Sequence, residues 1–128
     1  MRVFKTKDFA RFARKEKIED AALCEAIARA DRGLIDAALG GDLIKQLVPR
    51  KGQGRSGGFR TLLAYRHEHR AVFLHGFPKS ALDNLNDDEL EGLKKAAAAF
   101  IKLDEKTVAK ALKDGKWKEV DCGKEIQE

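Results

Sequence analysis

The chain has 128 residues, of which 43% are apolar and 37% charged, and its 26 Lys or Arg against 21 Asp or Glu leave a formal net charge of +5. That length suits one domain with its own core, and that composition excludes a disordered chain. No apolar run approaches the ~18 residues of a membrane span, and the start MRVFKTKDF lacks a signal peptide's apolar stretch, so a cytoplasmic protein with no membrane partner is predicted.

Arg2-Val-Phe-Lys5 alternates briefly and predicts an edge strand or an extended lead-in. Thr6 is a suitable N-cap for a helix whose stripe is Phe9, Phe12 and Ala13, with Lys15 and Lys17 near its C-terminal end. A second helix starts at Glu19-Asp20 and carries Leu23, Ile27, Ala30 and Leu34 at helical spacing, with Gly33 as a possible interruption. Gly40-Gly41 marks a change of period. Leu43 to Val48 reads as a strand with Leu43, Lys45 and Leu47 on one side, and Pro49 ends it or sets it at an edge. Residues 50–58 read as a loop. Phe59 to Arg66 resumes the strand pattern, with Arg60, Leu62, Ala64 and Arg66 on one face, and the short turn 67–70 leads to the strand 71–77.

Asn86-x-x-Glu89 is a capping box that opens a long helix with Leu90, Leu93, Ala97, Phe100 and Ile101 inward. Asp104 restarts it, Gly115 stops it, and Trp117 to Val120 reads as a short last strand. The order predicts an α+β domain over residues 1–120: an N-terminal helical hairpin on a small antiparallel sheet, followed by C-terminal helices. Residues 121–128 read as a mobile tail. Cys24 reads as a small core residue and Cys122 as part of that tail, with nothing in the sequence to bring the two together.

Charge is uneven along the chain. Residues 45–70 hold seven Lys or Arg and one acid, Glu68, while residues 83–91 hold five acids and no base. A basic, glycine-punctuated stretch that reads as strands suits a polyanion. Gly52-Gln-Gly54-Arg-Ser-Gly57 matches G-x-G-x-x-G, but a strand-like segment follows where a dinucleotide site needs a helix N-terminus. Gly-Lys-Ser/Thr is absent, so no Walker loop forms. The loop itself, with Arg50, Lys51 and Arg55, offers cations and backbone N–H groups to a phosphate.

His67 and His69 belong to a polar turn, and His75 alternates with Phe73 and Phe77 as a rim histidine or a proton-transfer group. No set of metal-ligand spacing emerges, and no cofactor is expected. Arg60 lies at the start of the strand that follows Gly57-Gly58, where backbone and guanidinium can approach a ligand closely. A guanidinium grips phosphate bidentately and stays charged.

GQGRSGGFRTLLAYR, AVFLHGFPKS and DNLNDDELEGLKK resemble the RelE/ParE toxin superfamily, in the HigB-like branch of bacterial type II toxin–antitoxin toxins; FARFARKEKI and RGLIDAALGGDLIKQ extend the resemblance to residues 2–114. It implies a ribosome-dependent mRNA endonuclease, in which the 2′-hydroxyl of the message attacks the adjacent phosphate without metal. By position, Arg60 would stabilise the phosphate, Lys45 would contact it or help activate the hydroxyl, and Lys79 would complete the cluster, with His75 as a further catalytic group. Arg50, Lys51, Arg55, Arg66, Arg70 and Tyr65 would bind RNA. Similar proteins often carry basic residues where Leu47 and Leu82 stand. The resemblance implies a cognate antitoxin, often a helix-turn-helix protein encoded next door, and the 70S ribosome and mRNA as partners. The superfamily's gyrase poisons, and a non-catalytic RNA-binding role, are the alternative functions.

Overall fold

The computed structural model describes residues 1–50, 54–78 and 85–123, with backbone only for 54–57. The chain opens on a strand, β1 (Arg2–Thr6), which corrects the expected N-terminal helical hairpin. Helices α1 (Lys7–Glu16) and α2 (Asp20–Asp31) follow as an insertion between β1 and β2 (Ala37–Gly40). They do not form a unit packed on itself: α1 rests on β5 (Arg70–Pro78), β1 and β6 (Trp117–Glu119), whereas α2 rests on β3 (Leu43–Arg50). The sheet is also neither small nor wholly antiparallel. Its six strands run in the order β2-β3-β4-β5-β1-β6, with β4 spanning Gly54–Arg66 and β1 lying parallel to β5. The class remains α+β.

The local reasons follow from the residues. The Thr6 hydroxyl accepts from the Phe9 N–H at 3.1 Å and starts α1, so the alternating Arg2–Thr6 run ends directly in a helix cap. β1 is an interior strand instead of the expected edge, because β6 pairs antiparallel along its other side. α2 stops at Asp31, which leaves Leu34 outside the helix and 56% exposed. Ala37–Gly40, which has no strong strand signature, pairs with β3 through the turn of Gly40, Gly41 and Asp42, all at positive φ.

The expected loop 50–58 is mostly strand: β3 runs to Arg50 and β4 starts at Gly54, with a register shift where Pro49 interrupts the ladder. Gly54 thus opens a strand and no helix, contrary to what the dinucleotide pattern needs. Gly58 is required by close approach, since a β-carbon there would collide with the Val48 carbonyl oxygen.

Helices cover both faces of the sheet. One core joins α1 and α2 to Ile44, Val48, Leu63, Tyr65 and Phe73. The other joins α3 (Asp87–Lys102) and α4 (Glu105–Lys113) to Leu43, Leu62, Ala64, Val72 and Leu74. The Asn86–Glu89 capping box forms as the sequence predicts. Cys24 and Cys122 are joined in a disulfide, correcting their separate placement, because Val120 is buried beside β1 and delivers the next residues to α2. Asp121 adds an anchor by donating its N–H to Asp20 at 2.8 Å. Of the segment set apart as a tail, 124–128 lie outside the described residues. Among the described residues no helix is long and apolar enough to cross a membrane.

Candidate functional site

Side chains alternate across a strand, so cross-strand partners share a face. In the sheet's second register row Ala37, Lys45, Leu62 and His75 stand side by side; in the next stand Leu47, Arg60 and Phe77. Leu62 belongs to the α3 core, which fixes this as the α3 face. α3 closes over the end of that face bearing Leu43, Ala64 and Val72. The other end carries Lys45, Leu47, Arg60, His75 and Phe77, all half-buried. A cleft of about 250 Å³ lies there, lined by Asp36, Ala37, Lys45, Leu47 and Arg60.

The two cations in this cleft are set apart by being half-buried without a partner among the described residues. Most arginines with described side chains are paired, among them Arg2, Arg29, Arg50, Arg66 and Arg70. Arg60 and Lys45 have neither an ion pair nor a side-chain hydrogen bond among the described residues. They are diagonal cross-strand neighbours, roughly 7 Å apart at the β-carbons. Two unit charges about 7 Å apart repel by roughly 2 kcal/mol in the dielectric of a protein surface, and an anion between them removes the penalty. Such a pair suits one phosphate, gripped by the fork of Arg60 and the point charge of Lys45.

The strand under them is held rigidly by a buried polar network. Gln46, fully buried, accepts from the Asp36 N–H at 2.8 Å and donates to the Ala26 and Leu34 carbonyls. Arg29 donates to the Leu47 carbonyl at 2.8 Å and to Asp36 Oδ2 at 3.0 Å, and that oxygen also accepts from the Leu47 N–H at 2.6 Å. Asp36 therefore continues the ladder of β3 beyond the end of β2, next to Lys45's partner Ala37 and separated from Arg60 by Leu47. Its place in the cleft was missed from sequence, because Asp36 lies outside the basic stretch 45–70; only the β2–β3 pairing brings it there.

The other site candidates fall elsewhere. Lys51 and Lys79, with Leu82, lie outside the described residues, and Arg55 is described by backbone alone. Arg50 turns to the α1/α2 face, where it stacks over Phe59 at 4.7 Å and pairs with Glu16 at 3.4 Å. Arg66 pairs with Asp42 at 2.8 Å, at the far end of β4. Arg70 is 4% exposed and caps the C-terminus of α3, donating to the carbonyls of Phe100 at 2.9 Å and Leu103 at 2.8 Å. Tyr65 lies on the α2 side and donates to Asp31 at 2.6 Å, within 3.1 Å of His67 Nδ1. Burial, then the hydrogen bond to Asp31, push its phenol well above the ordinary tyrosine range. The structure thus brings Lys45, Arg60 and His75 to the open end of one face, turns Arg50 and Tyr65 to the other face, and leaves Arg66 and Arg70 at the far, α3-covered end.

A family model described as the RelE toxin of the RelE / RelB toxin-antitoxin system matches residues 1–120. No curated protein matches the chain.

Proposed function

The chain belongs to the RelE toxin family, and on that premise we propose that this toxin is an mRNA endonuclease acting on the ribosome. The observation that carries the proposal is the pair of uncommitted, half-buried cations Arg60 and Lys45 on the open end of the sheet. In the reaction, O2′ of the message attacks the adjacent phosphorus, the P–O5′ bond breaks, and a 2′,3′-cyclic phosphate and a 5′-hydroxyl result. Arg60 holds the non-bridging oxygens as charge accumulates on them. Lys45 closes on the same phosphate and draws the attacking hydroxyl into place. His75, in the Lys45 register row, moves a proton between the reacting oxygens. Lys79, which follows β5, adds a further cation.

The SGG-aromatic-Arg strand start and the GF-x-KS stretch support assignment to the HigB-like branch. RelE toxins act with a cognate antitoxin, here proposed as a helix-turn-helix protein encoded by the adjacent gene, and a cytoplasmic site of action follows from ribosomal mRNA as the substrate. Induced expression of wild type and Arg60→Ala tests the reading. Wild type arrests growth and leaves cleaved messages, and the variant loses both. Growth arrest with intact messages and trapped gyrase–DNA complexes would instead identify a gyrase poison.

A further inference from the structure

Six of the seven phenylalanines are used by the fold: Phe4, Phe9, Phe59 and Phe73 are fully buried, and Phe12 and Phe100 pack against the two cores. Phe77 does neither. It is half-buried, it is the direct cross-strand partner of Arg60, and among the described residues the only ring against it is that of His75, at 5.8 Å between centroids. No cation among the described residues covers it, in contrast to the Arg50–Phe59 stack on the other face. Phe12 and Phe100 are half-buried too, but each packs against a core, whereas among the described residues Phe77 joins neither core cluster and so forgoes part of the burial an aromatic can gain. It gains nothing for the core, so its use lies at the surface.

We infer that Phe77, with His75 beside it, is a stacking platform for a base of single-stranded RNA, next to the phosphate held by Arg60. This rests on the RNA reading of the cleft and adds a base-binding subsite to it. Cross-strand partners place their β-carbons about 5 Å apart, a spacing comparable to that between a phosphate and the base of its own nucleotide. One nucleotide can therefore engage both residues, its phosphate on the guanidinium and its base on the ring. Single-stranded RNA is held in this manner, by cations that track the backbone and by aromatic faces that accept any base. Leu47, on the other side of Arg60, has no π-face, so the platform lies on the β5 side of the phosphate alone.

The test is binding of the full chain to a short single-stranded RNA carrying one 2-aminopurine, followed by anisotropy and by quenching of the fluorescent base. Wild type binds and quenches it. Phe77→Leu, shown folded by an unchanged unfolding midpoint, binds about 5- to 150-fold more weakly and no longer quenches, the loss expected for one stacked base. Phe77→Trp restores both signals. Arg60→Ala weakens binding and flattens its salt dependence whichever way the platform behaves. If Phe77→Leu binds and quenches as wild type does while Arg60→Ala is weakened, the stacking platform is overturned and the RNA reading stands. If wild type fails to bind the RNA, the platform is overturned, while the nuclease reading falls only if wild type also fails to cleave messages on ribosomes.

Discussion

Arg70 offers the sharpest contrast between charge read along the chain and charge placed by the fold. Its Nη1 donates to Phe100 O and Leu103 O at 2.9 and 2.8 Å, with Ile101 O at 3.3 Å sharing the same donor, and Nη2 reaches Glu105 at 3.0 Å. These carbonyls end α3, where no backbone N–H follows to satisfy them. Arg70→Met keeps most of the side chain's length and removes all four contacts. Hydrogen bonds from a charged donor contribute about 1.5–3 kcal/mol each, and two of the three carbonyl bonds are short. Glu105 adds little, being 75% exposed. The expected cost is about 3–5 kcal/mol, a large share of the 5–15 kcal/mol typical of a domain. For a chain of this size that lowers Tm by roughly 10–20 °C. Equilibrium urea unfolding should show a lower midpoint with an unchanged slope, and Glu105→Ala should cost less than about 1 kcal/mol. A Met variant with the wild-type midpoint and a weakened RNA affinity would refute the capping role and return Arg70 to the binding surface.

Three further outcomes follow from the geometry. Tyr65 is the only tyrosine, so ultraviolet titration reads it directly: the folded protein should show no phenolate through the range near pH 10 where an exposed tyrosine ionises. Since its folded pKa lies above the unfolded one, its contribution to stability is complete below about pH 10 and falls as pH rises beyond it; an ordinary titration in the folded state would contradict this. The Cys24–Cys122 disulfide spans 98 residues, so reduction, or Cys24→Ala with Cys122→Ala, should cost about 2–5 kcal/mol, seen as a lower calorimetric Tm with reductant. Gly58→Ala sets a β-carbon against the Val48 carbonyl and 2.9 Å from Pro49 Cα; a loss of about 1–3 kcal/mol in denaturant unfolding is expected, and a neutral result would mean the β3–β4 pair yields there.

The helices were legible because their signals are local. Thr6, the Asn86–Glu89 box and Asp104 cap where the sequence predicts, and the 3.6-residue stripes face inward except for Leu34, which lies beyond the end of α2. The alternation of Phe59–Arg66 likewise put Arg60 on one face with Leu62 and Ala64 before any partner strand was known. What failed depends on contacts distant in the chain. A five-residue run such as Arg2–Thr6 carries no mark of its parallel partner β5, and Ala37–Gly40 has too little β-branched content to announce a strand. The same holds for single residues: Arg70 and Arg60 are the same residue type within one basic stretch, and only the position of α3 makes one a helix cap and leaves the other unpaired. Asp36, Arg29 and Gln46 meet behind Lys45 through three different elements, and no local pattern joins them.

The central claim is that Arg60 stabilises a phosphate undergoing cleavage. It is tested most directly by single-turnover cleavage of a message on purified ribosomes, comparing wild type with Arg60→Ala at matched protein concentration and verified folding. The account predicts fragments ending in a 2′,3′-cyclic phosphate that appear only with ribosomes present, and a rate for the variant lower by about 10²–10³-fold, the loss typical of one group stabilising transition-state charge. Equal rates for the two proteins, or no cleavage by wild type, would contradict it.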